Sequence, residues 1–170
     1  MANADKPRGF KVAYTKHGGP ARLTRYYSDG VLPIGIGDIV DITTGVIASI
    51  TAATDIPMGV AATYCACADT TTAVYVYDDL QNTIFQTQAK GAVIAAEANT
   101  QVGYEIEATA MGTANDPFSQ MEMDDSATTN DSLWCIGLVE RPDNTWGEFA
   151  DVYVEIITDQ MAHGVAHRAS

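Results

Sequence analysis

The sequence predicts an all-β fold, a single compact antiparallel barrel or sandwich, and three observations carry that expectation. β-Branched and aromatic residues recur in short runs across most of the chain. Turn-forming residues separate those runs at close spacing. Residues 102–109 alternate, with Val102, Tyr104, Ile106 and Ala108 on one face and Gly103, Glu105, Glu107 and Thr109 on the other. A jelly-roll-like arrangement leads among the forms open to such a pattern. With 170 residues and 46% apolar content, the chain can fill one core without disulfides or metals.

Taken in order, residues 1–20 hold Pro7, Gly9, Gly18, Gly19 and Pro20 among scattered charges, with no sustained period. They predict an extended N-terminal arm. Residues 21–158 form the expected β-rich domain and 159–170 a tail. Residues 21–28 are strand-like and end at an Asp29-Gly30 turn. Residues 38–51, rich in Ile, Val and Thr around Thr44-Gly45, predict a hairpin.

In 72–78, Val74 and Val76 face one way and Ala73, Tyr75 and Tyr77 the other, which predicts a strand buried on both faces or at an interface. Residues 83–88 follow, with Ile84 opposite Phe85. Residues 133–139 read as a central strand. In 149–157, Val152, Val154 and Ile156 oppose Phe149, Asp151, Tyr153 and Glu155. Only 89–98, with its alanines and Glu97, is compatible with a short helix. Residues 112–131, containing Asp116, Glu122, Asp124, Asp125 and Asp131, and residues 141–147 are expected loops.

Charge is distributed unevenly. Lys6, Arg8, Lys11, Lys16, Arg22 and Arg25 are six of the nine Lys and Arg residues. Against the single acid Asp5 they leave the first 28 residues at +5, so residues 29–170 carry −18 and the whole chain −13. A cationic arm on an anionic body suits attachment to an acidic protein surface. The body would repel phosphate and anionic lipid, so neither nucleic acid nor membrane is an expected partner. Phe10 and Tyr14 are the candidate anchors beside the arm's charges. Tyr75, Tyr77, Phe85, Trp134 and Trp146 are candidates for the core or for a contact between subunits.

No catalytic constellation is expected. His17, His163 and His167 lie in the arm and tail, where no nearby nucleophile is held rigidly. Gly35-Ile-Gly37 lacks the third glycine of a nucleotide fingerprint. Glu105 and Glu107 share a strand face, which leaves a small carbohydrate-binding module or glycosidase as a rival of a different class. The acidic loop offers oxygen ligands without an EF-hand ladder. Asn130-Asp131-Ser132 fits a glycosylation sequon. Cys65 and Cys67, two apart on an expected strand, are poorly placed to bond each other, and with Cys135 they read as buried reduced thiols. No cofactor or metal is called for. The charged N-terminus lacks an apolar signal core, which predicts synthesis in the cytoplasm.

Met1-Ala-Asn-Ala-Asp-Lys-Pro-Arg-Gly-Phe10 resembles the start of the capsid cement, or head decoration, proteins of tailed bacteriophages. Similar stretches follow in order: Leu32-Pro-Ile-Gly-Ile-Gly-Asp-Ile-Val40, Pro57-Met-Gly-Val60, Tyr75-Val-Tyr-Asp-Asp79, Phe85-Gln-Thr-Gln88, Gln101-Val-Gly103, Ile136-Gly-Leu-Val139 and Asn144-Thr-Trp-Gly-Glu-Phe149. Leu80-Gln81-Asn82 departs from the charged or proline-containing stretch common at that point in the family. The resemblance implies a non-enzymatic β-rich virion protein, synthesised in the host cytoplasm and trimeric on the outer capsid surface near three-fold positions. It would bridge major capsid protein subunits against genome pressure. A head fibre or tail-associated protein is the alternative within the same class.

Overall fold

The alternating runs become two antiparallel sheets in the computed structural model, which describes residues 3–96, 98, 103–108, 115–124 and 132–157. Among the described residues eleven strands are present: β1 (Lys11–Thr15), β2 (Leu23–Tyr27), β3 (Ile39–Thr43), β4 (Val46–Ser49), β5 (Gly59–Ala61), β6 (Ala73–Tyr77), β7 (Thr83–Gln88), β8 (Gly103–Glu107), β9 (Glu122–Asp124), β10 (Leu133–Leu138) and β11 (Asp151–Ile156). One sheet runs β1-β7-β11-β10-β8-β9 and the other β2-β6-β5-β3-β4. The sheets do not close into a barrel, and a sandwich is the form the chain takes. Among the described residues, four neighbouring pairs join consecutive strands (β3·β4, β5·β6, β8·β9 and β10·β11).

The hairpin expected over 38–51 forms as β3 and β4. Its turn residues Thr44 and Gly45 have φ of 52° and 87°, the positive pair that matches the right-handed twist of the flanking strands. The alternation of β3 and β5 then divides the interior. Ile39 and Val60 enter the main cluster with Phe85, Val152 and Val154 of the six-stranded sheet. Val40 and Ala61, one residue further along, enter a second cluster with Ile34, Ile47, Val74 and Val76. Successive strand side chains face opposite ways, so the five-stranded sheet is covered on both faces at its centre.

Burial on both faces, or an interface, was expected at 72–78, and within this chain the burial there is one-sided at Tyr75. Val74 and Val76 are buried and Tyr77 packs on the main cluster, but Tyr75 is 43% exposed. The short helix anticipated at 89–98 is absent over the described residues. Ala89 bridges Met123, Lys90 N donates to Met123 O at 2.9 Å, and Val93 bridges Gly147. Distant strands occupy the backbone groups a helix would have used.

Residues 3–15, within the segment expected as an arm, are not free of the body. Phe10 is 2% exposed within the main cluster and its N donates to Gly37 O at 2.9 Å. The next residues form β1, the edge strand paired with β7. Gly9 permits this docking: its φ is 65°, and a Cβ there would lie 2.4 Å from Ser119 Cβ. Phe10 is therefore a core residue and not an exposed anchor. One buried aromatic ahead of a five-residue edge strand leaves little periodic signal, which is why the segment reads as an arm.

Phe10→Ala is expected to lower the unfolding free energy by about 3–5 kcal/mol in urea titration. Lys16→Ala, which removes only a partly exposed pair with Glu155, should change it by less than about 1 kcal/mol. Equal effects of the two substitutions would contradict the docked segment.

Candidate functional site: a cationic cavity beneath the N-terminal segment

Two amides fasten residues 3–8 to the sandwich. Asn3 Nδ2 donates to Thr145 O at 2.8 Å and Glu148 O at 2.9 Å, and Asn3 Oδ1 accepts from Thr145 N. Gln88, at the end of β7, accepts from Lys6 N at 2.8 Å and donates to Ala4 O and Phe149 O. The opposite wall is braced by buried Asn144, whose Nδ2 donates to Val139 O and Asp151 O while its Oδ1 accepts from Asp151 N.

Between the segment and these strands lies a cavity of about 500 Å³, whose lining includes Lys6, Arg8, Lys11, Gln88, Arg141 and Asp151. Its charges are unequal. Arg141 pairs with both lining acids, Asp143 and Asp151. Lys6, Arg8 and Lys11 make no ion pair with a carboxylate among the described residues. Arg8 instead stacks on Phe118, its Cζ 5.3 Å from the ring centroid. Thr87 also lines the cavity, and its buried Oγ1 has no hydrogen-bond partner. Four cations against two acids make a locally positive concavity on a chain of net charge −13. Such an arrangement suits an anionic group, most simply a carboxylate taken by Arg and Lys donors.

The other residues expected at the site lie elsewhere. Lys16 pairs with Glu155. Arg22 donates to Asp78 at 2.7 Å, and Asp78 also accepts from Tyr26 at 2.8 Å. Burial raises the Asp78 carboxyl, but the hydrogen bonds from Arg22 and Tyr26 outweigh it and hold the group below its usual range. Arg25 lies over Tyr27 at 5.1 Å. Tyr14 meets Tyr153 edge-to-face at 5.8 Å. Of the aromatic candidates, Phe85 is in the main cluster and Tyr77 and Trp146 pack against it, while Trp134 is half-buried on β10. Tyr75 sits opposite Arg25 in the β2·β6 register, beside exposed Leu23 and Tyr27.

Arg141, Asn3 and Gln88 were not anticipated. Nothing local marks them, because their roles arise from contacts across most of the chain. Of the acidic loop, Glu122 and Asp124 form β9, while Asp125 and Asp131 lie outside the described residues. So do His163, His167, the sequon asparagine Asn130 and the tail. Among the described residues no His, Cys, Asp or Glu group is arranged to hold a metal. Glu107, half of the carboxylate pair considered for sugar chemistry, is ion-paired with Lys90.

Comparisons with known protein families, with curated proteins and with solved structures find no match to this chain. The fold and site define an all-β sandwich whose own N-terminal segment roofs a cationic cavity. No described helix is long and apolar enough to cross a membrane.

Glu122 gives a pH signature. Burial, followed by the nearby Asp5 charge, lifts its carboxyl from 4.5 to about 7, with Lys90 opposing. Its Oε2 is buried without a partner. The folded state therefore holds this proton more tightly than the unfolded state. The associated loss of stability is absent below pH 4.5, grows between 4.5 and about 7, and is complete above that. Glu122→Gln should raise stability by about 1 kcal/mol at pH 8 and leave it unchanged at pH 4, read as thermal unfolding midpoints at the two values.

Proposed function

We propose that the protein is a capsid decoration protein of a tailed bacteriophage, binding the outside of an icosahedral shell as a homotrimer and bridging major capsid protein subunits. The cationic cavity carries this reading: Lys6, Arg8 and Lys11 lie at one concave site of an otherwise anionic chain, without carboxylate partners among the described residues. The sequence stretches that resemble the decoration family support it, and two of them supply the cavity. The N-terminal decapeptide contributes Lys6 and Arg8, and Phe85-Gln-Thr-Gln88 contributes Gln88.

The partner surface is acidic, repetitive protein. Exposed charge pairs contribute only about 0–1 kcal/mol each. Shell binding therefore depends on several copies engaging together, since each further contact becomes intramolecular once one has docked. The exposed Leu23, Tyr27 and Tyr75 on the β2·β6 face supply apolar area for contacts between subunits.

Because Phe10 and β1 belong to the core, truncation would confuse folding with binding, and charge reversal is the cleaner test. The triple variant Lys6→Glu, Arg8→Glu, Lys11→Glu should unfold at nearly the wild-type temperature. It should bind undecorated capsids at least about tenfold more weakly in co-sedimentation, a loss of about 1.4 kcal/mol. Wild-type binding should also weaken as salt rises. A folded triple variant that decorates shells at full occupancy would sink the proposal.

A further inference from the structure

Cys65 and Cys67 stand apart from the residues lining the cavity. A two-way backbone bridge fixes Cys65: Ile34 N donates to Cys65 O at 2.9 Å and Cys65 N to Ile34 O at 2.8 Å. The chain then turns at Cys67, whose φ of 50° lies in the left-handed region that side-chain-bearing residues seldom occupy. On a regular strand, residues i and i+2 share a side but stay two residue rises apart. The left-handed φ at Cys67 redirects its side chain away from that regular pattern.

Cys67 Sγ consequently lies 2.9 Å from Cys65 Sγ, and Cys67 N donates to Cys65 Sγ at 3.0 Å. The two thiols are unbonded, buried, and packed in the second cluster with Ile34 and Val74. Cys135 belongs to the other cluster. The three cysteines are buried free thiols, as expected, but the expected distance between Cys65 and Cys67 assumed a straight strand, and here their sulfurs lie close together.

We propose that Cys65 and Cys67 are a dithiol that closes into an intrachain disulfide across Ala66 when the protein meets a low-molecular-weight disulfide. A thiolate of one cysteine attacks the small disulfide, forming a mixed disulfide and releasing one small thiol. The thiolate of the other cysteine then attacks the protein-bound sulfur and displaces the second small thiol. The protein loses two protons and two electrons, and the small disulfide gains them as two thiols.

Burial, and then the hydrogen bond with Cys65, pushes the Cys67 thiol up to about 12. The pair is therefore slow to react at neutral pH and needs local opening of the 62–72 loop, where Ala66, Ala68 and Thr70 are exposed. Once one sulfur is captured, the proximity of the other makes ring closure intramolecular.

The test is incubation of the full-length folded protein with oxidised glutathione at pH 8, followed by acid quench, thiol counting in denaturant and peptide mapping. The free thiols should fall from three to one, with a single peptide containing Cys65 and Cys67 two hydrogens lighter, and dithiothreitol should restore all three. Cys65→Ser should yield no intrachain link. A disulfide involving Cys135, or a link between chains in place of this one, overturns the proposal. So do three free thiols that persist both in the folded protein and after refolding from denaturant in a glutathione redox buffer.

Discussion

The junction at Phe10 organises much of this molecule. Phe10 fills the main core while its N donates to Gly37 O, and Gly37 N donates to Ala61 O at 2.8 Å in the five-stranded sheet. Beside it, Ser119 N donates to Ile36 O, and Ile36 N donates to Pro117 O. Four chain segments distant in sequence thus share one set of backbone bonds. Gly9 and Gly37, both at positive φ, let them approach so closely. With Phe10 seated, β1 is aligned against β7, and residues 3–8 are led across the sheet to form the cavity roof.

Elements governed by local chemistry could be read from the sequence. Thr44-Gly45 specifies its own turn, and Val152, Val154 and Ile156 alternate because one face of β11 is buried. Elements whose partners are remote could not. Residues 89–96 look helical because alanine favours helix, but their backbone bonds go to Met123 and Gly147. The two-faced burial assigned to β6 belongs chiefly to β3 and β5, where Ile39 and Val40 are adjacent yet lie in different clusters.

The site was legible to a similar degree. Its charges were visible, since Lys6, Arg8 and Lys11 stand out in an acidic chain. Their selection was not, because composition does not separate them from Arg22, which Asp78 engages, or from Lys16, which Glu155 engages. Arg141 and Gln88 enter the cavity only through the folding of the whole chain. The relation between Cys65 and Cys67 was hidden for another reason: strand periodicity describes side-chain direction only where φ stays negative.

The fastening of Asn3 to Thr145 and Glu148 spans 142 and 145 positions. A chain emerging from the ribosome cannot make these bonds until nearly all of its β-sandwich has been synthesised. Loop closure over such separations also makes them among the later contacts to form. The concave cationic surface therefore exists only on a finished molecule. Partial translation products carry the same lysines and arginines, but as scattered charges without a shape.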